Sequence, residues 1–137
     1  METRPCRIVL LEDNPEDVTL AKLALTQAGI PYEMIVFEDG EKVIDFISTQ
    51  HAPPDLLLLD LNVPRRNGFE VLETVRSEPK WISTPVVVLS GSDNPADMTR
   101  AGRLKANYIV KSIDFEKAVE NLRSIVLKLC HTHTQRF

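Results

Sequence analysis

Hydrophobic runs in this sequence end repeatedly on residues that can do chemistry. Glu12 and Asp13 follow the run 8–11, Asp60 follows 56–59, Ser90 follows 86–89, and Lys111 follows 108–110. Brought together, the three carboxylates would repel and raise one another's pKa unless a cation stood among them. Magnesium suits such a set, because it takes octahedral oxygen ligation and keeps several waters, so two carboxylates and a main-chain carbonyl suffice. No Cys or His cluster competes for a softer metal. In that pocket Asp60 is a carboxylate nucleophile able to accept a phosphoryl group. The metal and Lys111 would neutralise charge on the transferred oxygens, and Ser90 would donate a hydrogen bond, so the expected product is an acyl phosphate.

These residues converge only if the runs that carry them are strands of one parallel sheet. Short β-type runs at 7–11, 33–37, 56–59, 86–89 and 108–110 alternate with segments of helical spacing, a βα unit repeated five times. LLLLD and VVVLS are apolar on both faces, as central strands covered by helices on each side must be. The expected fold is therefore α/β: a doubly wound, five-stranded parallel sheet in the flavodoxin-like order 2-1-3-4-5. Ligands then bind in the crevice at the carboxyl ends of strands 1 and 3, where the strand order reverses.

The first helix is expected to follow Asn14 as its cap, with Pro15 in its first position and Asp17 in its third. Val18, Ala21, Leu25 and Ala28 form its apolar stripe, and Gly29 ends it. A second helix over 40–48 turns Val43, Ile44 and Ile47 inward before Pro53-Pro54 block continuation. A third begins near Gly68 and buries Val71, Leu72 and Val75, and a fourth over 96–105 is the least amphipathic. The last, over 114–130, aligns Phe115, Val119, Leu122, Val126 and Leu129, with Ala118 and Ile125 widening the stripe. Only HTHTQRF follows, too short for an output domain. One domain over 1–137 is expected, with a core of about 7–130, a tail from 131, and signals leaving through its own surface.

A hydrophobic content of 43% lets 137 residues close a single core without disulfide or metal staples. The net charge of −4 and pI near 5.4 argue against nucleic acid and against anionic membranes as partners. No apolar stretch approaches the ~20 residues of a membrane span, and the N-terminus has no signal-peptide core, so a cytoplasmic location is expected. Cys6 and Cys130 stand at opposite ends in no CxxC pair and are read as two reduced thiols. His131 and His133 lack a third ligand for a metal site, Trp81 reads as cover for the core edge, and Arg65 and Arg66 as a solvated loop.

The acid pair in IVLLEDN, the acceptor in LLLLDLNVP, the hydroxyl in PVVVLSGS and the lysine in YIVKS resemble, in order and spacing, the motifs of the response-regulator receiver family of two-component systems. The resemblance implies that Asp13 and Asp60 ligate Mg2+ through side chains, Asn62 through its main-chain carbonyl, and Glu12 mainly through a water on the metal. It makes Ser90 the switch hydroxyl, Gly91 the small residue that leaves room for phosphate, and Tyr108 the aromatic that follows the phosphorylated state. Asn62 and Ser92 take the positions that tune acyl-phosphate hydrolysis. Such a domain is no enzyme toward external substrates and catalyses only its own phosphotransfer and dephosphorylation. NPEDVTLAKLAL and TPVVVLSGSDNPAD look like the small stand-alone regulators that serve phytochrome-type sensor kinases. The implied partners are a sensor histidine kinase and a second copy of the chain, met through the fourth helix, fifth strand and fifth helix. Three departures stand out: Glu12 replaces the commoner Asp, Ser112 replaces a Pro whose cis bond helps aim the lysine, and LKANY lacks a glycine near the end of the fourth helix.

Rival readings place the same residues in other classes. A magnesium-dependent aspartyl-phosphate phosphatase would carry a general acid two residues after the nucleophile, where this sequence has Asn62. A flavin- or nucleotide-binding module would need a Gly- or Ser/Thr-rich loop where EDNPED stands. A degenerate receiver, acting only as a phosphorylation-independent binding surface, is kept open by Ser112.

Overall fold

Side-chain alternation along the strands decides the layers. The computed structural model describes residues 4–49, 51–63, 65 and 67–134, of which 131–134 by backbone alone. Arg66 and the side chains of His131 and His133 therefore lie outside the described residues. The strands are β1 (Cys6–Leu11), β2 (Tyr32–Phe37), β3 (Leu56–Asp60), β4 (Val86–Ser90) and β5 (Asn107–Val110). They pair in parallel in the order β2-β1-β3-β4-β5, as the repeated βα pattern predicts. The helices are α1 (Pro15–Gln27), α2 (Gly40–Ser48), α3 (Gly68–Ser77), α4 (Pro95–Arg103) and α5 (Phe115–Thr134).

Ile8 and Leu10 of β1, Leu56 and Leu58 of β3, and Val87 and Leu89 of β4 face α1 and α5, where Ala21, Leu25, Leu122 and Val126 meet them. Val9, Leu11, Leu57, Leu59, Val86 and Val88 face the other way, against Val43 and Ile47 of α2 and Val71, Leu72 and Val75 of α3. A strand covered on both faces has no solvated side, which is why β3 and β4 carry no polar residue before their last. Each leucine of β3 is fully buried and contributes roughly 2 kcal/mol by burial. Trp81 covers the edge of the second layer, its indole N–H donating to the His51 carbonyl at 3.3 Å.

Helix starts follow the sequence signals. The Asn14 side chain accepts from the Glu16 amide at 2.9 Å, Pro15 opens α1, and Gly29 leaves it with a φ of +71°. Asn67 and Glu70 close a reciprocal capping box on α3, the signature N-x-x-E that fixes where this helix begins. Two expectations for the last helix need correction. It runs to Thr134 rather than 130, because neither Gly nor Pro interrupts 131–134. Phe115 does not join the inward stripe and is 48% exposed, because it is the first residue of α5 and the buried face begins only at Ala118.

At α4 only Ala101 is buried because the helix is polar overall; its residues nonetheless segregate by face more sharply than those of α1, so the expectation that it is the least amphipathic helix needs correction. The glycine missing from LKANY leaves Lys105 to take the left-handed position with a φ of +56°, a conformation that costs a non-glycine residue about 1 kcal/mol or more. Arg76 holds this turn in place. Its guanidinium donates to the carbonyls of Leu104 at 2.7 Å and Lys105 at 3.2 Å, and also to those of Ile82 and Thr84.

Candidate functional site

Strand register sets the site. Leu11 pairs with Leu59, so Glu12 and Asp60 reach the carboxyl edge of the sheet side by side. Asp60 pairs with Leu89 and Ser90 with Val110, so Ser90 lies one step beyond Asp60 and Lys111 follows at the end of β5. Carboxylate oxygens of Glu12, Asp13 and Asp60 lie within 4.8 Å of one another. Glu12 and Asp60 are buried, whereas Asp13 faces solvent.

Lys111 ties the cluster together. Its ammonium donates to Asp60 Oδ2 at 3.1 Å, Glu12 Oε1 at 3.2 Å and Asp17 Oδ2 at 2.8 Å. No cis peptide bond occurs among the described residues, so Lys111 reaches the acids along a trans path through Ser112. The other Asp60 oxygen, Oδ1, accepts from the Asn62 amide at 2.9 Å, and Glu12 Oε2 accepts from the Asn14 amide at 3.2 Å. Asp17 is the residue that sequence reasoning passed over, since an acid in the first turn of a helix is explained by the helix dipole alone. The first turn of α1 begins three residues after Glu12 and so lies at the same carboxyl edge, which was the available signal.

Ser90 is completely buried, and its hydroxyl accepts from the Ser92 amide at 3.0 Å. Its carbonyl accepts from the Lys111 amide at 2.7 Å. The half-buried Tyr108 donates its hydroxyl to the Ser92 carbonyl at 2.8 Å. Ser90 and Tyr108 thus meet at one residue, Ser92, in the loop between β4 and α4. Gly91 is exposed, and a Cβ there would meet nothing within 4 Å.

Burial, reinforced by the hydrogen bond and negative charge of Asp60, pushes the Glu12 carboxyl up from 4.5 to about 7, against the opposing pull of Lys111. Burial alone would lower the Lys111 ammonium, but its hydrogen bond to Asp17 and the charges of Glu12 and Asp60 outweigh it and leave the group raised. One ammonium therefore does not neutralise the cluster. The donor set is all oxygen with one exposed carboxylate, which fits a hard divalent cation.

A divalent cation entering the cluster would have to displace the Glu12 proton near neutrality. Affinity for such a cation is expected to rise about tenfold between about pH 6 and about pH 8 and to level off above, as titration calorimetry would read. In the metal-free protein the native state binds the Glu12 proton more tightly than the unfolded chain does. This group's contribution to stability therefore falls as pH rises from 4.5 through about 7. A flat affinity across that range would contradict this electrostatic account.

Gly68, the first residue of α3, controls how closely that helix approaches the acceptor. A Cβ there would stand 2.5 Å from the Asp60 carbonyl oxygen and 2.9 Å from the Leu61 Cα. Helix propensity alone predicts that Gly68→Ala stabilises. Contact with two backbone atoms predicts the opposite, a loss of about 1–3 kcal/mol as α3 or the end of β3 is displaced. Urea unfolding decides the sign.

A doubly wound α/β domain with three acids and a lysine gathered at its strand-order reversal defines a class of aspartate-centred, metal-assisted sites. The chain belongs to the response regulator receiver domain family, whose model matches residues 8–123. Response regulator Rcp1 of Synechocystis sp. is 35% identical over 137 residues, a match covering 93% of each chain. The phosphorylated cyanobacterial phytochrome response regulator RcpA superposes with a TM-score of 0.86 at 33% identity, covering 94% of this chain and 96% of that one. The Mn2+-bound form of Rcp1 gives 0.82 at 33% identity, covering 89% and 92%. This chain is thus a receiver with phytochrome-associated relatives, and no helix among its described residues is long and apolar enough to cross a membrane.

Proposed function

We propose that this protein is a stand-alone response regulator that accepts a phosphoryl group on Asp60 from a sensor histidine kinase, with Mg2+ bound, and signals by a change of surface. The observation that carries this reading is the cluster itself, with Glu12, Asp13 and Asp60 oxygens within 4.8 Å and the Lys111 ammonium 3.1 Å from Asp60. Asp13, Asp60 and the Asn62 main-chain carbonyl would hold the metal, with Glu12 supporting it. Bound there, the cation supplies charge neutralisation for the incoming phosphoryl oxygens.

The chain's own residues supply the rest. Asp60 attacks phosphorus, Lys111 balances charge on the transferred oxygens, and Gly91 leaves space beside them. Ser90 turns its hydroxyl toward the new dianion and releases the Ser92 amide. Ser92 also receives the Tyr108 hydroxyl, so this exchange carries the change to the loop before α4. The phosphorylated state of RcpA and the Mn2+-bound state of Rcp1 support the chemistry by relationship. Asn62 supplies no general acid, which favours a single phosphotransfer over turnover of external phosphoesters. A phytochrome-type kinase fits the relatives. A second copy of the chain fits the exposed Met98 on α4, Ile113 after β5 and Phe115 at the start of α5.

Intact-mass analysis after incubation with acetyl phosphate and magnesium tests the reading. One phosphate per chain is expected, labile to hydroxylamine and absent without a divalent cation. Catalytic release of phosphate from phosphomonoesters would favour the phosphatase. No incorporation at all, with partner binding intact, would favour the degenerate receiver.

A further inference from the structure

The two cysteines lie 124 positions apart in sequence, yet their Sγ atoms are 2.6 Å apart. Cys6 is the first residue of β1, and Cys130 lies in the last turns of α5. Both are free and completely buried, in the layer formed by Ile8, Leu25 and Val126. Neither belongs to the acid cluster. Glu12 follows Cys6 by six steps along β1, so the thiols lie at the opposite edge of the sheet, roughly 20 Å from the phosphoryl-acceptor site.

Each thiol by itself packs as a small apolar group, but two in direct contact, donated by opposite ends of the chain, also meet a condition for covalent chemistry. Cys6 is pinned by pairing with Tyr32 on β2, and α5 is docked through Val119, Leu122 and Val126. Rigid elements, rather than loops, present one sulfur to the other, and the sulfurs need approach by only about 0.6 Å to reach bonding distance. We propose that Cys6 and Cys130 form a reversible disulfide that ties the first strand to the last helix when the protein meets a peroxide.

Position favours one direction of attack. Burial raises both thiols, and either can donate in the hydrogen bond between them. Cys130, however, lies near the end of α5, and helix ends open more readily than helix centres, so Cys130 meets the peroxide first. The Cys130 thiolate attacks one oxygen of hydrogen peroxide, the O–O bond breaks, and the departing hydroxide takes a proton to leave as water. The Cys130 sulfenic acid is then attacked by the Cys6 sulfur. The S–O bond breaks, and the hydroxyl leaves with the Cys6 proton as a second water. Two electrons pass from the two thiols to the peroxide, and a dithiol reverses the change by exchange.

Such a bond closes a loop spanning nearly the whole chain, where the entropic constraint on the unfolded state is greatest. The test treats the full chain with a few equivalents of hydrogen peroxide, followed by intact mass and thiol alkylation under denaturing conditions. The expected product is monomeric, lighter by two hydrogens, without alkylatable thiol, and restored by dithiothreitol. Its urea midpoint should rise, and its uptake of phosphate from acetyl phosphate should match that of the reduced protein. In Cys6→Ser the same treatment should instead leave Cys130 carrying added oxygen. Two thiols still alkylatable in the parent, added oxygen in place of hydrogen loss, or cross-linked dimers would each overturn the proposal. These readouts do not depend on the chemistry at Asp60.

Discussion

Asp60→Asn is expected to take up no labile phosphate from acetyl phosphate and magnesium, a fall of at least about a thousandfold in incorporation rate. The amide keeps the size of the side chain but presents no anionic oxygen to attack phosphorus. Loss of activity through unfolding is not expected. Asp60 is 5% exposed and crowds Glu12, so removing its charge relieves repulsion inside the cluster. The metal-free variant should match or exceed the parent in urea, and the Glu12 carboxyl should move back toward its ordinary value of 4.5. Magnesium should bind more weakly, because a ligand oxygen has lost its charge. If the variant retained one hydroxylamine-labile phosphate, the acceptor would have to be another carboxylate, with Asp13 the first to examine.

Lys111→Ala is the second large effect. Its ammonium is shared among Asp60, Glu12 and Asp17 at 3.1, 3.2 and 2.8 Å. Removing a preorganised charge from a reaction centre costs about 10²–10³ in rate, or about 3–4 kcal/mol. The same change leaves three neighbouring carboxylates without their cation. The metal-free variant should therefore be destabilised at neutral pH, and saturating magnesium should restore much of the loss. Because Lys111 is raised above its ordinary value of 10.5, its contribution is fully present below that value and fades only in strong alkali. Lys111 also pulls the Glu12 carboxyl down, so in the variant that carboxyl should rise further, and the stability difference between parent and variant should widen as pH rises through about 7, where Glu12 of the parent ionises. Measuring urea unfolding with and without magnesium separates the two groups. An unchanged phosphorylation rate in Lys111→Ala would remove the lysine from the mechanism.

Asp17 bears on both experiments. It makes the shortest of the three bonds to Lys111 and stands in the first turn of α1, beside the metal site but outside the acid trio. The trans path through Ser112 is thereby compensated, since the ammonium is held by a carboxylate on the neighbouring helix.

The site residues that could be read from the sequence share one property, that each ends a strand or directly follows one. Parallel strands put all their carboxyl ends on one edge, so Glu12, Asp60, Ser90 and Lys111 had to converge once five βα units were recognised. The apolar runs LLLLD and VVVLS, the cap at Asn14 and the turn at Gly29 are likewise local signals with local causes. Helix ends were less legible. Phe115 has the right spacing for the inward stripe, but spacing does not reveal where the helix first touches the sheet.

Local sequence thus determined the order of the elements, the two-faced burial of β3 and β4, and which residues reach the reactive edge. Tertiary packing alone decided what meets across elements. It brought Asp17 onto Lys111, drew Gly68 against the Asp60 backbone, let Arg76 support the strained Lys105, and set Cys6 against Cys130. Each of those contacts joins positions on different elements, whose relative placement depends on how whole faces interlock, and no periodicity within a single segment encodes that.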